Sequence, residues 1–332
     1  MKKNTLILAG LVLILGGLVY YFQVLQDDNN SISDGKEWQR SFAIEDPSAI
    51  ETIFISKLSG LKIKLTRDGE YWKVNDKYMA NPNVMKNLIN TAVQLELQRT
   101  PIAKEANNIV KSLSANGTNV KYFDKDGNII KAYYLGGSDL EGTGTEIMME
   151  GSNQPYIVNV PYFQGILSFR FNKPEREFRD RSIFRMDPSS IYELSIEYPK
   201  QKSKSFKLIK DEGDFYVEQY FDLKGKGRKK VNQNIIDQYL AGFELKIAEG
   251  IENNNPVQDS VLSTMPFCRI ELKYGDGLYK KVSFFEIEEL NDNGEKVTEI
   301  ISRLFCYIEP EDDFMLTQLN PIKELLRPYD YF

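Results

Sequence analysis

The strongest constraint on this chain is that it repeats itself. After Asn81, the residues Val84, Met85, Leu88, Ile89 and Ala92 fall on one face of a helix. After Asn232, Ile235, Ile236, Tyr239, Leu240 and Phe243 do the same, at a constant offset of 151 residues. Each asparagine is placed to cap its helix, and Pro82 occupies the first helical position of the first one. Upstream, Ile50, Ile53 and Ile55 correspond to Ile191, Leu194 and Ile196, and Ile63, Leu65, Trp72 and Val74 to Phe206, Leu208, Phe215 and Val217. These runs alternate at a period of two, as half-buried strands do, with a turn at Asp68-Gly69. Downstream, a shorter helix is expected at 103–113 with a counterpart at 257–264, then hairpins at Asp126-Gly127 and Asp276-Gly277. A last strand pair, 146–149 with 156–160, matches 303–308 with 314–317. Each half reads β-β-β-α-α-β-β-β-β, which points to the α+β class with two related, mostly antiparallel units.

Residues 5–25 (TLILAGLVLILGGLVYYFQVL) carry no charge, and a helix of that length spans roughly 31 Å, the thickness of a bilayer core. The run ends in Tyr20, Tyr21 and Phe22, which suit an interface better than a cleavage site. Lys2 and Lys3 precede it and Asp27 and Asp28 follow, so an uncleaved signal anchor with a cytoplasmic N-terminus and an exported remainder is expected. Ala9, Gly10, Gly16 and Gly17 place small residues on one stripe of that helix. They either pack against a membrane partner or reflect the frequency of glycine in spans. The expected organisation is an anchor at 1–26, a polar tether at 27–41, a first α+β repeat at 42–168, an arginine-rich connector at 169–187 and a second repeat at 188–332.

Composition removes several functions. The chain contains no histidine, so Ser-His-Asp triads, Cys-His pairs and His-ligated metals cannot arise within it. Without residues 1–26 it holds 40 basic against 48 acidic residues, which argues against nucleic acid as a partner. Asp124, Asp126 and Asn128 start like a calcium loop, but Ile129 and Leu135 stand where glycine and glutamate are required. Gly136, Gly137, Gly142 and Gly144 lack the Gly-Lys-Ser/Thr of a phosphate loop, and Ser59-Gly60-Leu61-Lys62 matches S-x-x-K between strands, not on a helix. The acids Glu309, Glu311, Asp312 and Asp313 around Pro310, and Asn291-Asp292-Asn293-Gly294, read as solvated turns. No catalytic residue, cofactor or metal site is expected, and a hydrolase with a carboxylate dyad is the least favoured reading.

Three features remain open. Arg170, Arg176, Arg179, Arg181 and Arg185 form the densest arginine cluster, either a salt-bridged connector or a docking surface for an acidic partner. Cys268 and Cys306 both alternate onto an apolar face, where they either pair in a disulfide or stay buried as thiols. Tyr133, Tyr134, Phe284 and Phe285 could line a ligand cleft between the units.

In order along the chain stand Phe42-Ala43-Ile44, the run Leu65 to Val74 with Trp72, Tyr78-Met79-Ala80-Asn81, Tyr133-Tyr134-Leu135-Gly136-Gly137, Met148-Met149-Glu150-Gly151, Pro155-Tyr156-Ile157 and Arg179-Asp180-Arg181. In these the chain resembles the bacterial domain of unknown function 4340 family, particularly its Bacteroidetes-type members, with Phe178 where that pattern carries a tryptophan. The resemblance covers most of Phe42 to Arg185 and continues more weakly to the C-terminus. It implies a single-pass envelope protein, which the anchor would place in the bacterial inner membrane with a periplasmic body, of a family whose members are often encoded beside ABC-type export permeases and gliding-motility-like transport components. The leading expectation is therefore a non-enzymatic, membrane-anchored accessory or scaffold subunit of such an export complex. The alternative is an extracytoplasmic binding module for a hydrophobic or glycan-like ligand.

Overall fold

A computed structural model describes residues 42–221, 227–287 and 302–332. They divide into two compact units between Arg179 and Asp180. The first contains β1 (Thr52–Ser56), β2 (Lys62–Asp68), β3 (Tyr71–Val74), β4 (Tyr78–Met79), α1 (Pro82–Gln94), β5 (Glu96–Arg99), α2 (Ala103–Asn116), β6 (Thr118–Phe123), β7 (Ile129–Ser138), β8 (Thr145–Met149) and β9 (Tyr156–Asn159), then the one-turn helices α3 (Ser168–Phe171) and α4 (Glu175–Phe178). Its strands form one nine-stranded antiparallel sheet in the order β4-β3-β2-β1-β6-β7-β8-β9-β5.

The second unit contains β10 (Ser182–Arg185), β11 (Ile191–Glu197), β12 (Phe206–Asp211), β13 (Asp214–Gln219), β14 (Lys229–Lys230), α5 (Gln233–Ala241), β15 (Leu245–Ile247), β16 (Gly250–Ile251), α6 (Gln258–Leu262), β17 (Cys268–Tyr274), β18 (Leu278–Glu286), β19 (Arg303–Glu309), β20 (Asp313–Gln318) and α7 (Leu319–Ile322). Its large sheet runs β14-β13-β12-β11-β17-β18-β19-β20-β16, the same path as the first, and β10 pairs with β15 in a separate ribbon. Each large sheet is entered through the same device. Asp46 and Asp187 each precede a proline and accept the amide of the serine that follows, at 2.8 and 2.9 Å, turning the chain into β1 and β11.

The cores follow from alternation. In the first unit Ile53, Ile55, Ile63, Leu65, Val120, Tyr122, Tyr133 and Leu135 send their side chains to one face of the sheet. There they meet Met85, Leu88 and Ala92 of α1 and, further along the chain, Phe171 and Phe178. Asn81 accepts the amides of Asn83 and Val84 at 3.0 and 3.4 Å, which satisfies the start of α1. In the second unit Leu194, Ile196, Leu208, Ile270 and Val282 face Ile236, Tyr239 and Leu240 of α5. Burying such side chains contributes about 1.5–3 kcal/mol each, so these inner faces carry most of the stability.

Two expectations are corrected here. The α+β class, expected as two related, mostly antiparallel units behind an anchor, is corrected: the described residues are mostly antiparallel β-sheet, three sheets in all, with short helices laid on them. The reason is that the expected helices contribute few turns; the counterpart expected at 257–264 is only the five-residue α6. The single-pass inner-membrane placement, with its membrane, signal-anchor and periplasmic assignments, is corrected as well. Among the described residues no helix is long and apolar enough to cross a membrane. The longest, α2, has 14 residues and is polar on its outer side, and at 1.5 Å per residue it reaches about 21 Å, short of the ~30 Å hydrocarbon core. Residues 5–25, with Ala9, Gly10, Gly16 and Gly17, lie outside the described residues, as does Asn291-Asp292-Asn293-Gly294.

Candidate functional site

The first sheet has a second face, and it is only partly covered. Helix α2 lies against β7 and β8, where Ile109 and Leu113 pack on Ile157, Tyr134 and Met148. Among the described residues no helix covers this face over β2, β1 and β6 in the same way. Antiparallel register arranges its side chains in rows across the strands. Lys62, Ser56, Asn119, Tyr134 and Met148 make one row; Lys64, Phe54, Lys121 and Ala132 make the next; Thr66, Thr52 and Phe123 make the third.

Two grooves lie along these rows. The larger, about 600 Å³, has Leu113, Tyr134 and Met148 as an apolar floor and Lys57, Lys62 and Lys121 at its rim. That volume is in the range of small-ligand sites. The smaller, about 550 Å³, runs past Phe54, Lys64, Thr66 and Phe123. Lys121 pairs with Glu150 at 2.7 Å and Lys64 with Asp76 at 2.9 Å. Among the described residues Lys57 and Lys62 make no ion pair. Asn119 presents to the same row a buried Nδ2 with no hydrogen-bond partner.

The corresponding face of the second sheet has the opposite character. By register, Ser195 stands where Phe54 does and Glu271 where Lys121 does. Three ion pairs cross its neighbouring strands, Glu193 to Lys273 at 2.8 Å, Glu197 to Arg269 at 2.8 Å, and Lys281 to Glu309 at 3.4 Å, while Lys207, Glu218 and Glu271 lie on the same face outside those pairs. One topology therefore carries one face largely cross-paired in charge and one lysine-rimmed groove.

Carboxylates that the sequence does not connect meet at the β7–β8 loop. Arg99 on β5 donates to both oxygens of Glu105, at 2.7 and 2.8 Å, and to Asp139 at 3.1 Å. Asp139 also accepts the amides of Thr143 and Gly144 at 2.8 and 2.9 Å. The Arg99 hydrogen bond holds Glu105 below the usual carboxylate range. Burial opposes ionisation of Asp139, but the Gly144 and Thr143 amides and Arg99 outweigh it, so its carboxyl is also held low. Glu146 is pushed up, by burial first and by the neighbouring charges of Glu105 and Asp139 second. Arg99 and the loop amides take up the acceptor capacity of Glu105 and Asp139, which makes this cluster a clamp on the glycine-rich loop.

The residues singled out from sequence scatter. Arg170 donates to Thr91 at 2.6 Å and lies 3.9 Å from the Phe163 ring centroid; Arg179 is buried, 3.4 Å from the centroid of Tyr78. Arg181 donates to the Glu249 carbonyl, Arg185 holds Asp180 at 3.0 and 3.2 Å, and Arg176 is exposed on α4. Most of the arginines thus serve their own unit. Tyr133, Phe284 and Phe285 are buried within their own units, and of the four aromatics only Tyr134 lines a groove. Cys268 and Cys306 are free and buried. Asp124 closes the β6–β7 hairpin by accepting the amides of Asp126 and Asn128. Around Pro310, Glu309, Glu311, Asp312 and Asp313 bond to Lys281, Lys280, Tyr307 and Asn253.

Fold and groove together define a duplicated antiparallel β protein with an open, lysine-rimmed groove on its first sheet. Set against protein-family models, curated proteins and solved structures, the chain finds no match. The family resemblance accordingly rests on the residues quoted for it.

Proposed function

We propose that this is a non-enzymatic accessory or scaffold protein that holds a partner on the open face of its first sheet. The observation that supports it is the contrast between the two units. The second face ties six of its charges into cross-strand pairs, whereas among the described residues the first leaves Lys57 and Lys62 without ion pairs beside an apolar floor. A surface that satisfies itself has little to gain from a partner, while a groove with an apolar floor and solvated cations gains burial and complementary charge. In the setting implied by the family resemblance, the partner belongs to an ABC-type or gliding-motility-like export assembly.

The test is site-specific photo-crosslinking in cells that make the protein, with a benzophenone side chain at Ser56 on the open face or at Lys207 on the corresponding face of the second unit. A protein adduct of one discrete mass from Ser56 alone is expected. Adducts from neither position, or equally from both, would refute the reading. A small-molecule adduct at Ser56 would move the function to the second reading, a binding module for a hydrophobic ligand, which the floor of Leu113, Tyr134 and Met148 favours.

A further inference from the structure

The two grooves are consecutive stretches of one track. Ser56 and Phe54, two residues apart on β1, lie at the larger and smaller groove respectively, and Lys62 and Lys64 on β2 divide in the same way. On the other flank Lys121 borders the larger groove and Phe123 the smaller. From Ser56 to Thr52 the track follows β1 for about 14 Å at the usual strand rise. Its central row sets Phe54 between Lys64 and Lys121.

We infer that the occupant of this track is an extended acidic peptide segment, with carboxylates at alternate positions and apolar side chains between them. Lys62 and Lys64 are two residues apart on one strand and on the same face, so their attachment points repeat at roughly 6.8 Å. That repeat is also the spacing of alternate side chains in an extended peptide, so one carboxylate meets Lys62 and the next meets Lys64 beside its Asp76 partner. With the peptide edge-on above Phe54, its carboxylates turn toward β2 and the side chains between them turn the other way, toward Tyr134 and Met148 on the opposite flank. A single-headed acyl anion would use one lysine and leave the second groove empty. The charge is local: the whole chain is −6, yet the two grooves are lined by Lys57, Lys62, Lys64, Lys121 and Lys125 against Glu51, Asp124 and Glu150. This inference rests on the open-face reading and gives its partner a chemistry.

The experiment is fluorescence anisotropy on the full chain with three probes. These are a fluorescein-labelled nine-residue peptide alternating glutamate and leucine, its counterpart alternating lysine and leucine, and dansylated undecanoate. The expected result is saturable binding of the acidic peptide only, weakened at least tenfold by Lys57→Glu with Lys62→Glu and at least about threefold by Phe54→Ala. The milder pair Lys57→Gln with Lys62→Gln should fall between, and circular dichroism of each variant reports that the sheet is intact. Equal binding of the two peptides, indifference of the acidic peptide to the lysine variants, binding of undecanoate alone, or no binding of any probe would each overturn the inference. If a discrete Ser56 crosslink persists in those cases, the open face still holds a partner and only its acidic, extended character is wrong. Loss of both removes the scaffold reading too.

Discussion

Cys268 and Cys306 stand at the same level of the second sheet with Phe284 between them, each paired with that phenylalanine from its own side. An intervening strand separates their Cα atoms by about 10 Å at the usual strand spacing, beyond the 4.4–6.8 Å a disulfide accepts. All three side chains are fully buried, and burial pushes both thiols up from their ordinary value. The native protein should therefore give two free thiols by mass spectrometry after denaturing alkylation, and almost no reaction with Ellman's reagent before denaturation. No alkylated thiol without reductant, with two appearing after reduction, would refute the register.

Alkaline pH should destabilise the protein. Tyr133 donates to Tyr122 at 3.0 Å inside the first core, and burial raises both phenols above the ordinary value of 10. Because the folded values are the higher ones, the unfolded chain loses its protons first as pH rises, so the folded state loses stability above about pH 9–10 and keeps it below. Chemical denaturation at pH 8 and pH 10.5 measures the drop. Tyr133→Phe, which removes one titrating group, should lessen it while costing about 1 kcal/mol at neutral pH.

The loop clamp predicts the acid limb. Asp139 and Glu105 are held below the usual carboxylate range, so their contribution is present above pH 4 and fades as pH falls through their folded values. Asp139→Asn should cost about 2–4 kcal/mol at pH 7, since it leaves Arg99 less compensated and the loop amides more weakly held. The cost should shrink toward pH 3 in denaturant titrations.

Gly144 should tolerate no side chain. A Cβ there would meet the Gln98 side-chain oxygen and Ile157 Cγ2, the latter fixed in the packing beneath α2. Gly144→Ala is expected to lower the melting temperature by several degrees. Gly137→Ala, in the same loop with open space around it, should do so far less.

Removing a cap should be felt in one unit. Asn81→Ala leaves the Asn83 and Val84 amides unpaired at the start of α1 and should cost about 1 kcal/mol. Hydrogen exchange should show the loss in α1 while α5, capped by Asn232 at 2.9 Å, is unchanged.

Long periodic elements were legible in the sequence, and short ones were not. The apolar faces after Asn81 and Asn232 become α1 and α5, and alternation around Asp68-Gly69 becomes β2 and β3. Strands β4, β14 and β16, two residues each, and β5, four residues, are too short for any period to register. The Asp-Pro-Ser entry at Asp46 and Asp187 is the most literal match between the halves, and comparing apolar positions alone passes over it because its residues are polar. The groove was hidden for a different reason. Lys62, Ser56, Asn119 and Tyr134 are distant in sequence and become one row only through strand register. Adjacent aromatics misled because neighbours on a strand face opposite ways, so Tyr133 enters the core where Tyr134 meets the groove.

The outermost strands of both large sheets, β4 and β5 in the first and β14 and β16 in the second, span two to four residues each. Such a stub offers few free backbone groups to a foreign strand, and at β14 the side chains of Lys229 and Lys230 are already tied to the Phe332 carbonyl and to Asp214. Short borders of this kind leave little template on which a second copy could add a strand to either large sheet.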